Sequence, residues 1–445
     1  MMTIGAQPHA ESWYASKEEG PVFPVLEGEE DVETVVVGGG LAGITTAFCL
    51  ARMGKSVALL EANRVGWGAS GRNGGFVSPG YAQSIFAVEA KLGLPKARAL
   101  FNMGRAGTQF VAERLDEFGL QHLVGGRGWL KCVRYPAEDA LKERAERMAR
   151  DYGVHYQVWP REAVRETLQT DRYFGALHDP EPFHLDPLAY SRALSVAAAD
   201  SGARIYEASP ATGLSRESGG WRVTTPKGAL RARHVVLAGN ATQVGLYPPL
   251  EHAVLPVSTY VVTSEPLGDR LDKAIHFSGC IGDTRRSSDY YRIVGSGDDR
   301  RLLWGGRITT ARSEPKELAW MLTRDILSIY PQLGAFRIEY AWGGLMGYQR
   351  NKMPVIGLLA GARDAGLWGV TAFGGHGMGA TATGGNLIAA AIASGDESWR
   401  AFEPFLPAWI DRLVGGRNIF GQAATQLVYW QLRLMDRWQE SRGKL

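Results

Sequence analysis

The segment Gly38-Gly39-Gly40-Leu41-Ala42-Gly43-Ile44-Thr45 constrains this chain more than any other, because of what stands on either side of it. Thr34-Val35-Val36-Val37 reads as a strand running into it, and Ile44 to Met53 as an apolar helix leaving it. A second strand, Ser56-Val57-Ala58-Leu59-Leu60, ends on Glu61. Together these form a dinucleotide-binding fingerprint in which each part has a physical task. Gly38 permits the tight turn off the strand, Gly40 lets a pyrophosphate approach the backbone, and Gly43 lets the helix pack closely on the strand. The helix N-terminus, at Leu41 and Ala42, offers N–H groups and a positive dipole end to phosphate. Glu61, followed by Ala62, places a carboxylate where it can accept both hydroxyls of a ribose.

Composition narrows the remaining choices. At 445 residues the chain is long for one core, so about two domains are expected. A net charge of +3 from 49 basic and 46 acidic residues is too even for a nucleic-acid or anionic-membrane partner. Cys49, Cys132 and Cys280 lack C-x-x-C spacing, which argues against a disulfide framework or zinc site and for a reducing, cytoplasmic setting. The first dozen residues, with His9 and Glu11, have no apolar core of a signal peptide. Residues 34–51 are uncharged, yet their glycines and their change from strand to helix fit the nucleotide unit better than a membrane span. No Ser-His-Asp or His-x-x-His pattern suggests a hydrolase or a metal site.

Further along, Gly66-Trp67-Gly68-Ala69-Ser70-Gly71-Arg72-Asn73-Gly74-Gly75 is too glycine-dense to serve core packing, so its backbone must approach something closely or adopt positive φ. Helical periodicity is expected over 97–118 and 139–152, and again over 186–201 with Asp186 as N-cap and Pro187 at the first helical position. Strands follow at 204–207, 221–225 and 234–240, the last apolar throughout as a doubly covered strand should be. From 255 to 307 short strands at 257–264, 290–294 and 302–306 read as an antiparallel sheet, closed by a helix over 317–330. The strand 337–342 leads towards Gly343-Gly344-Leu345-Met346-Gly347. The strand 367–371 then enters Gly374-Gly375-His376-Gly377-Met378-Gly379 and a helix over 380–393, a second strand, Gly-rich loop and helix.

On these motifs the chain resembles the FAD-dependent amine and amino-acid oxidases that include D-amino-acid oxidase, sarcosine oxidase and glycine oxidase. The form of residues 66–75, with Arg337-Ile338-Glu339-Tyr340-Ala341-Trp342-Gly343-Gly344 and a tail carrying Phe420-Gly421 and Tyr429-Trp430, is most similar to the γ-glutamylputrescine oxidase branch. The resemblance implies an α/β (α+β overall) architecture: a Rossmann-like FAD-binding domain of the glutathione-reductase type and a substrate domain on a mixed or antiparallel sheet. It divides the chain into a lead-in (1–30), a discontinuous FAD domain (31–85, 176–250 and 338–400), a substrate domain (86–175 and 251–337) and a C-terminal helical tail (401–445). It implies FAD held by Gly38, Gly40, Leu41, Ala42, Gly43, Glu61 and Ala62, by Ser70, Gly71, Arg72, Asn73, Gly74 and Gly75, by Ala211 and Gly239, and by Gly374, Gly375, Gly377, Met378 and Gly379. Covalent-flavin relatives carry a cysteine in the segment matching Gly344–Tyr348; none stands here, so FAD is expected to be non-covalent.

The activity implied is oxidation of an amine C–N bond to an imine, with oxygen or another electron acceptor taking the electrons. The expected substrate is a γ-glutamylated amine or polyamine. A cyclic or N-alkyl amino acid is the alternative, and a flavin-dependent hydroxylase a more distant one. An aromatic site suits an amine that must shed its proton or dock as a cation. Tyr260, Tyr290, Tyr291, Trp342 and Met346 are therefore the expected substrate contacts, with Arg292 and Arg307 as partners for a carboxylate. His376, between glycines, is the expected catalytic residue.

Overall fold

A computed structural model describes residues 7–285, 289–309, 315–359 and 366–407, together with Gln431 and Met435. The fingerprint unit forms as expected: the strand Gly28–Val37, the helix Leu41–Arg52 and the strand Val57–Leu60. Every residue from Leu41 to Ala51 is buried, so the helix is apolar all round because it is covered all round. Around it an eight-stranded sheet places Arg204–Tyr206, Val57–Leu60, Gly28–Val37, Gly228–Leu237 and Leu367–Thr371 side by side and parallel, with Val355–Leu358 antiparallel at the edge. The continuous apolar run 235–237 is fully buried, as a central parallel strand must be.

The second sheet has nine strands. Its long path runs Ile338–Tyr348, Leu255–Ser264, Arg301–Thr309, Tyr290–Val294, Cys280–Asp283, Val124–Cys132, Gly175–Leu185 and Phe76–Val77, with Gln157–Pro160 paired to Gly175–Leu185. All its pairs are antiparallel except Cys280–Asp283 with Val124–Cys132. Two segments that the sequence groups with the cofactor domain, 176–185 and 338–348, are thus strands of this second sheet. The strand from Ile338 continues through Gly343 and Gly344 because its backbone pairs with Leu255–Ser264, which supplies the regularity that its glycines lack.

The helices Leu94–Glu117, Glu138–Tyr152, Pro187–Asp200, Pro315–Ile329 and Gly377–Ser394 lie where the periodicity places them, within a few residues. Asp186 caps its helix, its carboxylate accepting from the Leu188 and Ala189 amides at 3.1 Å each. The lead-in differs from a simple extended approach. Residues 7–17 lie across the glycine-dense loop: the Gln7 amide donates to Asn63 Oδ1, the Trp67 indole to the Pro8 carbonyl, and the Tyr14 hydroxyl to the Asn73 carbonyl. Trp13 and Tyr14 are buried against the second sheet with Val261, Leu303 and Trp342. Most of the C-terminal tail, including Phe420, Tyr429 and Trp430, lies outside the described residues. Among the described residues no helix is long and apolar enough to cross a membrane, and no group of three His, Cys, Asp or Glu could hold a metal. All three cysteines are buried and unpaired.

Candidate functional site

The nucleotide end is set by backbone proximity. A β-carbon at Gly43 would collide with the Gly38 carbonyl, and Gly38 itself has φ +117°, where a β-carbon would run into the Ala238 backbone. These positions therefore admit only glycine. The Glu61 carboxylate accepts from the Gly39 amide at 2.7 Å and the Asn63 amide at 2.8 Å. Burial nevertheless pushes this carboxyl up to about 7, against the pull of those amides. A carboxylate left so poorly solvated fits a pair of ribose hydroxyls, whose donation would favour the charged form. Ser209 donates its amide to the Glu61 carbonyl, which carries the chain on to Ala211 beside the same end. Ala62 is exposed.

Ser70 joins the two glycine loops, its hydroxyl accepting from the Leu41 amide at 2.9 Å. Asn73 folds back on the loop, donating to the Ala69 and Ser70 carbonyls and accepting from the Gly75 amide. Arg72 donates to the Trp67 and Gly343 carbonyls and stacks over the Trp67 ring. Its guanidinium is thus committed to shaping the loop. At the far end, Gly374 and Gly375 have φ +61° and +83°, and the Gly374 amide donates to the Gly347 carbonyl. Met378 is buried, and Gly379 packs against Ser78 and Thr108 of the helix Leu94–Glu117. Gly379 therefore lets its helix pack closely on Leu94–Glu117. A β-carbon at Gly377 would meet only Thr381 Cγ2, at 4.0 Å, and Gly239 follows the strand that abuts Gly38.

The strand Ile338–Tyr348 connects these loops. On one of its faces Trp342 donates its indole N–H to the Arg72 carbonyl, Gly344 lies beside Arg72, and Met346 and Tyr348 lie against Gly375 and Gly374. Strand registers extend the same face across the sheet through Trp342, Val261, Gly305, Tyr290, Gly282 and Lys131. The Tyr290 ring fills the space that side chains at Gly74 and Gly305 would occupy, and it meets Phe76 edge-on at 5.6 Å.

Two expected substrate contacts lie on the opposite face, and a third is enclosed on the near face. Tyr291 alternates to the opposite face, stacked on Trp304 at 4.0 Å, with its hydroxyl 3.0 Å from that of Tyr173 and 2.7 Å from that of Tyr330. Tyr260 belongs to that same core. Arg292 is on the near face but is buried, donating to His184 Nδ1, the Tyr14 hydroxyl and the Leu185 carbonyl. It braces the sheet against residues 7–17 through the Tyr14 hydroxyl. His184 donates its other nitrogen to the Ser278 carbonyl, and burial followed by the Arg292 charge lowers its pKa to about 3. Arg307 stands in the strand Arg301–Thr309, with its side chain outside the described residues.

His376 precedes the helix Gly377–Ser394 and is exposed at its edge, with Nδ1 3.5 Å from the Gly374 carbonyl. Protein atoms crowd the ring and lower its pKa, opposed by the Gly374 carbonyl and aided by the charge of Lys131. The imidazole is therefore neutral at pH 7 and able to accept a proton. Sequence reasoning missed the near-face residues Trp129, Lys131 and Phe76. The strand of Trp129 and Lys131, Val124–Cys132, contains three glycines and has register shifts, so it shows no clean alternation, and Phe76 stands in a strand of two residues, too short for any period.

A βαβ cradle for a dinucleotide, beside a second sheet with an aromatic face, fits an oxidoreductase that uses a flavin dinucleotide. The DAO family model, described as FAD dependent oxidoreductase, matches residues 33–391. The chain is 31% identical over 398 residues to a gamma-glutamylputrescine oxidoreductase of Escherichia coli, covering 88% of this chain and 91% of that one. It is 29% identical to a probable oxidoreductase OrdL of Haemophilus influenzae, covering 99% and 100%. Among solved structures, glycine oxidase from Geobacillus kaustophilus superposes with a TM-score of 0.67 at 22% identity, covering 85% and 99%, a likeness of fold. The chain belongs to the DAO family of FAD-dependent oxidoreductases, enzymes acting on C–N bonds of amines and amino acids.

Proposed function

We propose that this enzyme oxidises the primary amine of a γ-glutamylated or simple polyamine. The observation that carries this reading is the near face of the second sheet. It is aromatic, at Tyr290, Phe76 and Trp129, while the described arginines closest to the loops, Arg72 and Arg292, are spent on protein carbonyls, His184 and Tyr14. An α-amino acid needs a cation beside the carbon oxidised, whereas an alkylamine needs apolar walls that favour its neutral form. The extended likeness to gamma-glutamylputrescine oxidoreductase supports the same choice.

FAD, held without a covalent bond by the Gly38–Gly43 turn, Glu61, the Ser70–Gly75 loop and the Gly374–Gly377 loop, supplies a two-electron acceptor. The chain's residues do the rest. Tyr290 and Met346 orient the substrate carbon, the aromatic walls exclude water, and neutral His376 accepts a proton. The amine loses two electrons and two protons to become an imine, water releases an aldehyde and ammonia, and oxygen is reduced to hydrogen peroxide. Product analysis checks this. With γ-glutamylputrescine, stoichiometric aldehyde, ammonia and peroxide are expected; turnover of sarcosine or pipecolate with none of γ-glutamylputrescine overturns it. Acid precipitation should leave the flavin in the supernatant.

A further inference from the structure

Lys131 stands on the near face two strands from Tyr290, about 10 Å away across the sheet. Phe76 and Trp129 join the two positions, with ring centroids at 5.6 Å from Tyr290 to Phe76 and 5.7 Å from Phe76 to Trp129. The Lys131 ammonium lies 4.8 Å from the Trp129 ring centre and 4.7 Å from that of Tyr156. It donates to Asp179 Oδ2 at 3.1 Å and to the Tyr156 hydroxyl at 3.5 Å. An ammonium has three N–H donors, so one remains for a ligand. The pair is asymmetric in access: the Lys131 side chain is 31% exposed and that of Asp179 only 2%. Asp179 thus fixes the ammonium from behind while its front stays open. An aromatic rail leading to a half-open cation suits a ligand with an apolar chain and a terminal anion.

The geometry points to Lys131 as the anchor for a carboxylate at the far end of the substrate, remote from the carbon oxidised, with Asp179 as its positioning residue. This rests on the amine reading above and narrows it to ω-aminoalkyl amides that bear a remote carboxylate, the γ-glutamyl amines among them. Such a carboxylate would meet Lys131 while the methylene chain lies along Trp129 and Phe76 and the amine end reaches Tyr290.

The test uses the FAD-loaded enzyme with γ-glutamylputrescine and with N-acetylputrescine, which has the same terminal amine and amide but neither the α-carboxylate nor the α-amino group; N-glutarylputrescine, which keeps a remote carboxylate without the α-amino group, should behave like γ-glutamylputrescine. Lys131→Met should raise KM for γ-glutamylputrescine roughly 10- to 100-fold, the loss of one charge-assisted hydrogen bond, with kcat little changed. Preference over N-acetylputrescine should fall by the same factor, and Lys131→Arg should recover most of it. Calorimetric binding of γ-glutamylbutylamide, which carries the carboxylate but no amine at the end that is oxidised, should weaken in parallel. If Lys131→Met retains no FAD, Lys131→Gln carries the same expectation. Equal losses with both amines, or unchanged binding of γ-glutamylbutylamide, would overturn the assignment. A wild-type enzyme that oxidises both amines equally well would sink the remote carboxylate alone; one that oxidises neither would sink the amine reading with it.

Discussion

The two glycine loops and the near face of the second sheet meet along the strand Ile338–Tyr348 but are specified by opposite means. At Gly38 and Gly43 the absence of a side chain is the specification, since backbone of the strand, the helix and the Ala238 segment meets there at van der Waals distance. At Tyr290 the specification is a large ring pointing one way, while its neighbour Tyr291 points the other. Backbone-defined sites tolerate no added atoms, and face-defined sites tolerate no shift of register. The difference teaches that identity alone places a glycine's role, whereas an aromatic's role is decided by which strand partner it has.

The sharpest way to break that comparison is to treat adjacent tyrosines alike. Tyr291→Ala should cost about 3–5 kcal/mol of stability, by opening a cavity beside Trp304 and stranding the Tyr173 and Tyr330 hydroxyls. Denaturant midpoints measure this, and the folded fraction should keep its KM. Tyr290→Ala should instead change turnover more than stability. A reversal of those two patterns would mean that the faces have been exchanged. Next in size, Gly43→Ala should cost about 1–3 kcal/mol or more and strip FAD on desalting. Gly68→Ala, where the structure leaves open space, should retain the cofactor.

A smaller effect comes from the clasp at residues 7–17. Tyr14→Phe removes the hydroxyl that donates to Asn73 and accepts from Arg292, and should cost about 1–2 kcal/mol with faster FAD loss on dilution. The smallest is a pH effect. Folding raises the Glu61 pKa from 4.5 to about 7, so the proton favours the folded apoprotein. Its stabilising contribution is present below about pH 4.5 and is lost as pH rises through 7. Thermal melts of apoprotein should therefore show more loss between pH 5 and 8 than melts of Glu61→Gln, and FAD should bind more tightly at the upper end.

Much of the nucleotide end was legible because its signals are local. The run from Val35 to Glu61 contains strand, turn, helix and acid within one supersecondary unit, and Asp186-Pro187 announces its own helix. The aromatic face was half legible. Strands at Tyr290–Val294 and Leu255–Ser264 follow from composition, yet composition does not tell which face Tyr260 and Tyr291 occupy or that Arg292 is enclosed by Tyr14 and His184. That knowledge depends on pairing with segments far away in the chain. Val124–Cys132 escaped because its glycines, one at φ +86°, interrupt the period-2 pattern on which strand recognition depends. The clasp escaped too, since its hydrogen bonds join residues more than fifty positions apart.

The most direct measurement is anaerobic mixing of the FAD-loaded enzyme with amines, followed by admission of air. The account predicts that γ-glutamylputrescine bleaches the flavin absorbance, and that air restores it with one hydrogen peroxide formed per flavin. Bleaching by NADPH while every amine leaves the yellow colour intact would contradict it.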